Sequence, residues 1–94
     1  METRQVRAAV AVARCGSFVR AARELHVAPS TLSRQVAALE RDVGFVLFLR
    51  RAAAVELTRP GRIFLAEADA LLAELSRAAR DARAASEREP RDAI

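Results

Sequence analysis

The sequence predicts a mainly α-helical chain: three helices, a small β-hairpin, and one long terminal helix. Three observations lead there. About half of the 94 residues are apolar, yet there are four Phe and no Tyr or Trp, and alanine supplies much of the apolar content. Alanine favours helix and fills little volume, so helices in close contact are the natural way to build such a core. In four stretches the apolar residues recur at spacings of three and four, the helical period. Between Gly44 and Thr58 that period gives way to a compact apolar run, Phe45-Val46-Leu47-Phe48-Leu49.

Over residues 3–14, Val6, Ala9, Val10 and Ala13 share a stripe, with Arg4, Arg7 and Arg14 largely off it. Gly16 suits the left-handed position that closes this first helix. Ser17 suits the N-cap of the next, its hydroxyl accepting from free backbone amides. The second helix is short, about 18–25, and is expected to bury Phe18, Ala21, Ala22 and Leu25. His26-Val27-Ala28-Pro29 forms the turn, because Pro29 drives Ala28 away from helical backbone. His26 reads as a turn residue and not as a ligand.

A new helix begins at Pro29 or Ser30, where proline's missing N–H costs nothing. It runs to about Val43 and is stopped by Gly44, with Leu32, Val36, Leu39 and Val43 facing inward. Its other face carries Ser30, Thr31, Ser33, Arg34, Ala37 and Arg41. Residues 48–50 and 55–57 read as a short antiparallel pair with 51–54 at the tip, a small wing.

Thr58 caps the last helix and Pro60 sits in its first turn. From Gly61 to about Glu87 nothing breaks the pattern, which gives a rod roughly 40 Å long at 1.5 Å per residue. Phe64, Ala68, Leu71, Leu75, Ala78 and Ala82 repeat at four and three, a heptad seam that Leu65 and Leu72 widen. No folded part of the chain remains to cover that stripe along its full length, so a second copy is expected to do so. The expected organisation is a winged unit over 1–58, a linker and dimerisation helix over 59–87, and a frayed tail over 88–94.

Charge narrows the function. Residues 1–61 hold ten arginines and five acids, whereas 62–94 hold six and seven, so the positive excess belongs to the winged unit. That distribution suits contact with a polyanion; arginine merely solvated at the surface is the bland alternative. One cysteine (Cys15) and one histidine (His26) cannot build a structural zinc site, a disulfide or a Cys-His catalytic pair within one chain. Neither a catalytic constellation nor a phosphate loop is present, so no enzyme, no cofactor and no metal is expected. No apolar run approaches the roughly 20 residues that span a bilayer, and a cytoplasmic, nucleoid-associated location is expected.

Two short helices joined by a tight turn match the helix-turn-helix motif, whose later helix enters the major groove of DNA. Ala21 and Ala22 fit the crossing of the two helices, where bulky side chains have no room; Leu25, Val27, Leu32 and Val36 are expected to form the enclosed core of the unit. Ser30 and Thr31 stand at a helix N-terminus, whose free amides attract phosphate. Ser33 and Arg34 follow one turn later, in reach of base edges, and arginine can hold guanine through two hydrogen bonds. Thr31 is a further base-contact candidate, since its methyl can touch a thymine methyl; for Ser30 and Thr31 the bland reading is capping, and for Arg34 solvation. Ser17 and Arg20 lie where the motif usually grips the backbone. Arg50 and Arg51 on the wing are phosphate candidates, with an ion pair from Arg50 to Glu40 or Asp42 as the structural alternative. Cys15 reads as a partly buried filler.

Several segments then carry a specific resemblance: Arg4-Gln5-Val6, Gly16-Ser17-Phe18 through Arg20-Ala21-Ala22, Leu25-His26-Val27, Leu32-Ser33-Arg34-Gln35-Val36, Leu39-Glu40, Gly44, Leu47-Phe48, Arg50, and Leu57-Thr58 with Gly61. With this ungapped spacing, the sequence resembles the N-terminal DNA-binding domain of LysR-type transcriptional regulators of bacteria over nearly its whole length. The resemblance implies a winged helix-turn-helix, a long helix that forms a homodimer, and a partly palindromic promoter or operator site in double-stranded DNA. It implies base contacts from Pro29, Ser30, Ser33 and Arg34, and backbone contacts from Ser17, Arg20, Arg50 and Arg51. Whether dimers pair into tetramers in a longer form stays open. The chain departs from the family pattern at Ala8 and Ala9, where large aromatics are usual, and at Val46, Leu49 and the Ala52-Ala53-Ala54 tip. The family's large effector-sensing domain is not among these residues, so the chain reads as the DNA-binding part of such a regulator or as a truncated one. The competing reading is a protein–protein interaction module whose basic face is incidental.

Overall fold

The computed structural model describes residues 1–52 and 54–89. In chain order it contains α1 (Thr3–Cys15), α2 (Phe18–Leu25), α3 (Pro29–Val43), β1 (Phe48–Arg51), β2 (Ala54–Leu57) and α4 (Arg59–Glu87). This is the three-helix, hairpin and long-helix architecture expected from the sequence. The hairpin runs one residue further on each strand than expected, since the ladder continues to Arg51 opposite Ala54. Arg88 and Glu89 turn back on the helix through N–H bonds to the Ala85 and Ser86 carbonyls, while the rest of the expected tail, residues 90–94, lies outside the described residues.

Helix α1 is the hub: α2, α3, α4 and β2 all pack against it. It therefore buries Val6, Ala8, Ala9, Val10, Ala11 and Val12, far more than the single stripe expected, and leaves Ala13 half-buried. Small side chains allow this, because a helix surrounded on several sides needs its neighbours close. Ala8 and Ala9, the sites of departure from the family pattern, are fully covered. Leu32, Val36 and Leu39 of α3, with Leu47 and Phe48 after it, complete the centre of the core.

Local chemistry fixes the breaks. Gly16 is left-handed (φ 70°) and donates its N–H to the Val12 carbonyl; Gly44 (φ 86°) does the same to Glu40. The turn between α2 and α3 closes on His26, also left-handed (φ 58°), and Val27 donates to the Ala22 carbonyl behind it. Ala28 is extended, as the residue before a proline should be. One expectation fails here: Leu25 is 36% exposed and Val27 only half-buried, so neither is a centre of the core. Helix α2 is only eight residues long, and its covered stripe is narrowed to Ala21 and Ala22, which meet the crossing helices directly.

Thr58 joins wing and rod. Its Oγ1 accepts from the Gly61 N–H at 2.9 Å, and its hydroxyl donates to the Val46 carbonyl at 2.6 Å. The Thr58 N–H donates to the Leu47 carbonyl at 2.9 Å. Glu40 fastens the same loop by accepting from the Leu47 N–H at 2.8 Å.

Candidate nucleic-acid interface

The three helix starts on this part of the surface are built differently. Helices α2 and α4 are capped by hydroxyls, Ser17 accepting from the Arg20 N–H at 3.2 Å and Thr58 as above. Helix α3 starts at Ala28, which has no side chain able to cap. The amides of Ser30 and Thr31 are therefore left for water or for an anion. Pro29 and Ser30 are exposed, Thr31 and Ser33 are half-buried, and Arg34 is exposed with its guanidinium donating to Thr31 Oγ1 at 3.3 Å. Neither Ser33 nor Arg34 is taken up by the core. All five residues singled out for base contact thus lie together on the first two turns of α3.

The backbone candidates gather at the opposite end of the motif. Ser17 and Arg20 occupy the first turn of α2, and Arg20 is exposed. Arg50 does not pair with Glu40 or Asp42, which are engaged by the Leu47 amide and by the Met1 ammonium (3.1 Å). Its guanidinium carbon instead lies 4.0 Å over the centre of the Phe18 ring. Arg51 pairs with Glu56 across the hairpin at 3.1 Å, both side chains well over half exposed. Such a surface pair is worth at most about 1 kcal/mol and yields readily to a phosphate.

Beside α2, Glu24 accepts from Arg14 at 2.9 Å and from the Cys15 thiol at 3.4 Å. The Arg14 hydrogen bond, followed by that of Cys15, holds the Glu24 carboxyl below the usual value. Desolvation, with the bond to Glu24 second, pushes the Cys15 thiol up.

The seam expected on α4 divides in two. Leu65 (4% exposed) and Ala68 are buried within the protomer, and Phe64 and Leu72 pack on the same core, with Phe64 set edge-to-face against Phe45 at 5.9 Å. Leu65 thus turns inward against the protomer's own core, whereas Phe64 and Leu72 stay half-buried and, with Ala68, line the open side of the rod beside Leu71. Leu71 (67% exposed) and Leu75 (56%) remain free, as do Ala78 and Ala82 beyond them. They are joined by Ile63 (63%), which the heptad reading missed because Glu67 interrupts the i, i+4 row from Ile63 to Leu71. Ile63, Leu71 and Leu75 line an open groove of about 740 Å³ together with Met1, Val6, Phe45 and Phe64. The stacking of Arg50 on Phe18 is likewise not legible in the sequence. The two residues lie far apart in the chain, and no periodicity links them. Among the described residues no helix is long and apolar enough to cross a membrane, and no His/Cys/Asp/Glu group is arranged to hold a metal.

Comparison with known proteins agrees with this geometry. The family model described as "Bacterial regulatory helix-turn-helix protein, lysR family" matches residues 3–62. The HTH-type transcriptional regulator TfdT of Cupriavidus pinatubonensis is 48% identical over 86 residues, which cover 92% of this chain but 38% of that regulator. The DNA-binding domain of CbnR, solved in complex with DNA, superposes with a TM-score of 0.85 at 41% identity, covering 92% of this chain and 99% of that one. The BenM DNA-binding domain on its benA site 1 DNA gives 0.87 at 34% identity, covering 92% and 97%.

Proposed function

This chain belongs to the LysR family of bacterial regulatory helix-turn-helix proteins, and we propose that it binds double-stranded DNA sequence-specifically, as a homodimer, without catalysing a reaction. The observation that carries the reading is the start of α3: two uncapped amides, three hydroxyl side chains and the exposed Arg34 on consecutive turns, with no role in the core.

In this reading α3 enters the major groove. Arg34 takes two acceptors of a guanine, and Ser30, Thr31 and Ser33 adjust to neighbouring base edges. Pro29 meets the same edge. Ser17, Arg20, Arg50 and Arg51 hold phosphates on either side, supplying affinity without sequence information. The division of labour follows the chain: residues 1–58 read DNA and 59–87 pair the copies. The rod's free row of Ile63, Leu71 and Leu75 closes on a second copy, with Ala78 and Ala82 continuing the contact. Two copies then place their α3 helices about 34 Å apart, one helical turn, or a multiple of it. A regulator of this kind works in the cytoplasm, at the nucleoid, and pairing of dimers into tetramers belongs to a form that carries more chain.

Selection from a random duplex pool tests the proposal. The expected product is a partly palindromic site whose half-sites are spaced by about one helical turn or a multiple of it. A pool that emerges without any sequence preference would favour the protein–protein interaction module instead.

A further inference from the structure

The Phe18 ring has an unusual double engagement. It meets Phe48 edge-to-face at 5.9 Å with an interplanar angle of 75°, and its face lies under the Arg50 guanidinium at 4.0 Å. Phe48 and Arg50 are two residues apart on β1, so the strand's alternation puts both on the face that looks toward α2. The hairpin is also pinned there by backbone: Val55, opposite Arg50 in the ladder, donates its N–H to the Gly16 carbonyl at 3.2 Å. Gly16 and Phe18 flank Ser17, the cap of α2. Among the described residues no carboxylate lies within ion-pair distance of Arg50, although Glu40 and Asp42 are nearby in sequence. An exposed arginine ordinarily samples many rotamers, and ordering it on binding costs affinity. A ring face attracts the cation through its quadrupole and leaves the guanidinium's in-plane N–H groups free to donate.

We propose that Phe18 is a positioning residue for DNA-backbone binding: its ring holds the Arg50 guanidinium at the first turn of α2, the turn carrying Ser17 and Arg20, so that wing and helix-turn-helix grip the phosphates as one unit. This deepens the DNA-binding reading above and rests on it. Phe18 itself touches no phosphate. It acts by sparing Arg50 the loss of freedom that binding would otherwise impose.

The test uses the 94-residue chain and a fluorescently labelled duplex of random sequence, read by anisotropy between 50 and 200 mM salt. Phe18→Leu keeps the apolar contact and removes the quadrupole, and should weaken binding about two- to fivefold. Phe18→Trp, with the stronger ring face, should bind as tightly as the parent. Arg50→Ala should lose one phosphate contact and flatten the log–log salt slope by about 0.9. The Phe18→Leu/Arg50→Ala pair should be no weaker than Arg50→Ala alone, which a merely structural Phe18 would not produce. Arg50→Lys keeps the charge at an exposed site, leaves the fold alone and loses the planar stack, so it should weaken binding about twofold or more. Independent, multiplying losses from Phe18→Leu and Arg50→Ala, or an Arg50→Lys variant equal to the parent, would overturn the inference. A parent that showed no salt-dependent duplex binding would overturn the DNA-binding reading itself, and this inference with it.

Discussion

Replacing Gly61 with alanine sets two effects of opposite sign against each other, and the structure says which is larger. Gly61 is buried in the first turn of α4, where helix propensity alone favours alanine by about 1 kcal/mol. A Cβ at this position would stand 2.4 Å from the Leu47 carbonyl oxygen, 3.0 Å from its carbon and 2.9 Å from Thr58 Oγ1. The obstacle is backbone, held by the Thr58 N–H at 2.9 Å and by Glu40 through the Leu47 amide, so it cannot swing away as a side-chain tip would. Relief requires α4 to back off from the 45–47 loop. That weakens the Thr58 bonds to Leu47 and Val46, each worth about 0.5–1.5 kcal/mol, and adds an overpacking cost of about 1–3 kcal/mol. After the propensity gain is deducted, Gly61→Ala should destabilise the chain by about 1–5 kcal/mol. At roughly 4–8 °C per kcal/mol for a domain of this size, the melting temperature should fall by about 4–40 °C. Thermal and urea melts followed by far-UV circular dichroism measure it, with Ala66→Gly on the exposed side of the same helix as the propensity control. A Gly61→Ala chain melting at or above the parent would refute the close-approach argument. The consequence reaches function, because this junction sets the direction in which the rod leaves the wing and hence where the partner's α3 would lie.

Four other outcomes can be checked. Arg34→Ala should relax preference at one base position per half-site at a cost of about 1–3 kcal/mol, read by repeating the selection; an unchanged consensus would remove Arg34 from base reading. Leu71→Glu with Leu75→Glu keeps good helix formers on the rod but charges its free row, and should raise the dimer dissociation constant at least about a hundredfold by sedimentation. Ala52 holds a positive φ of 40° at the wing tip; glycine there should raise stability by up to about 1 kcal/mol, seen as a shift in the urea midpoint. Because the Glu24 carboxyl is held below its ordinary value, mainly by Arg14, its pairing stabilises the fold above that value and is lost as pH falls through the lowered one. Urea melts from pH 6 to pH 3 should therefore show a smaller loss in Glu24→Gln than in the parent.

The sequence by itself determined the order and nearly the bounds of the elements, because each break is local chemistry. Gly16, Gly44, Pro29, Ser17 and Thr58 each act within a turn of their own position, and the structure places all five where those chemistries require. The outward edge of α3 was equally legible, since a helix has only one face left once Leu32, Val36 and Leu39 are inside. Tertiary structure decided what depends on partners distant in the chain. The apolar stripe of α4 looks continuous in sequence, but packing buries Leu65 and Ala68, half-buries Phe64 and Leu72, and leaves Ile63, Leu71 and Leu75 exposed. Arg50 had two acidic neighbours to choose from in sequence and took neither, because the Leu47 amide and the chain's own N-terminus reached Glu40 and Asp42 while the Phe18 ring lay open beneath it. Periodicity records which side chains share a face; which of several faces a neighbour covers is settled only when the helices pack.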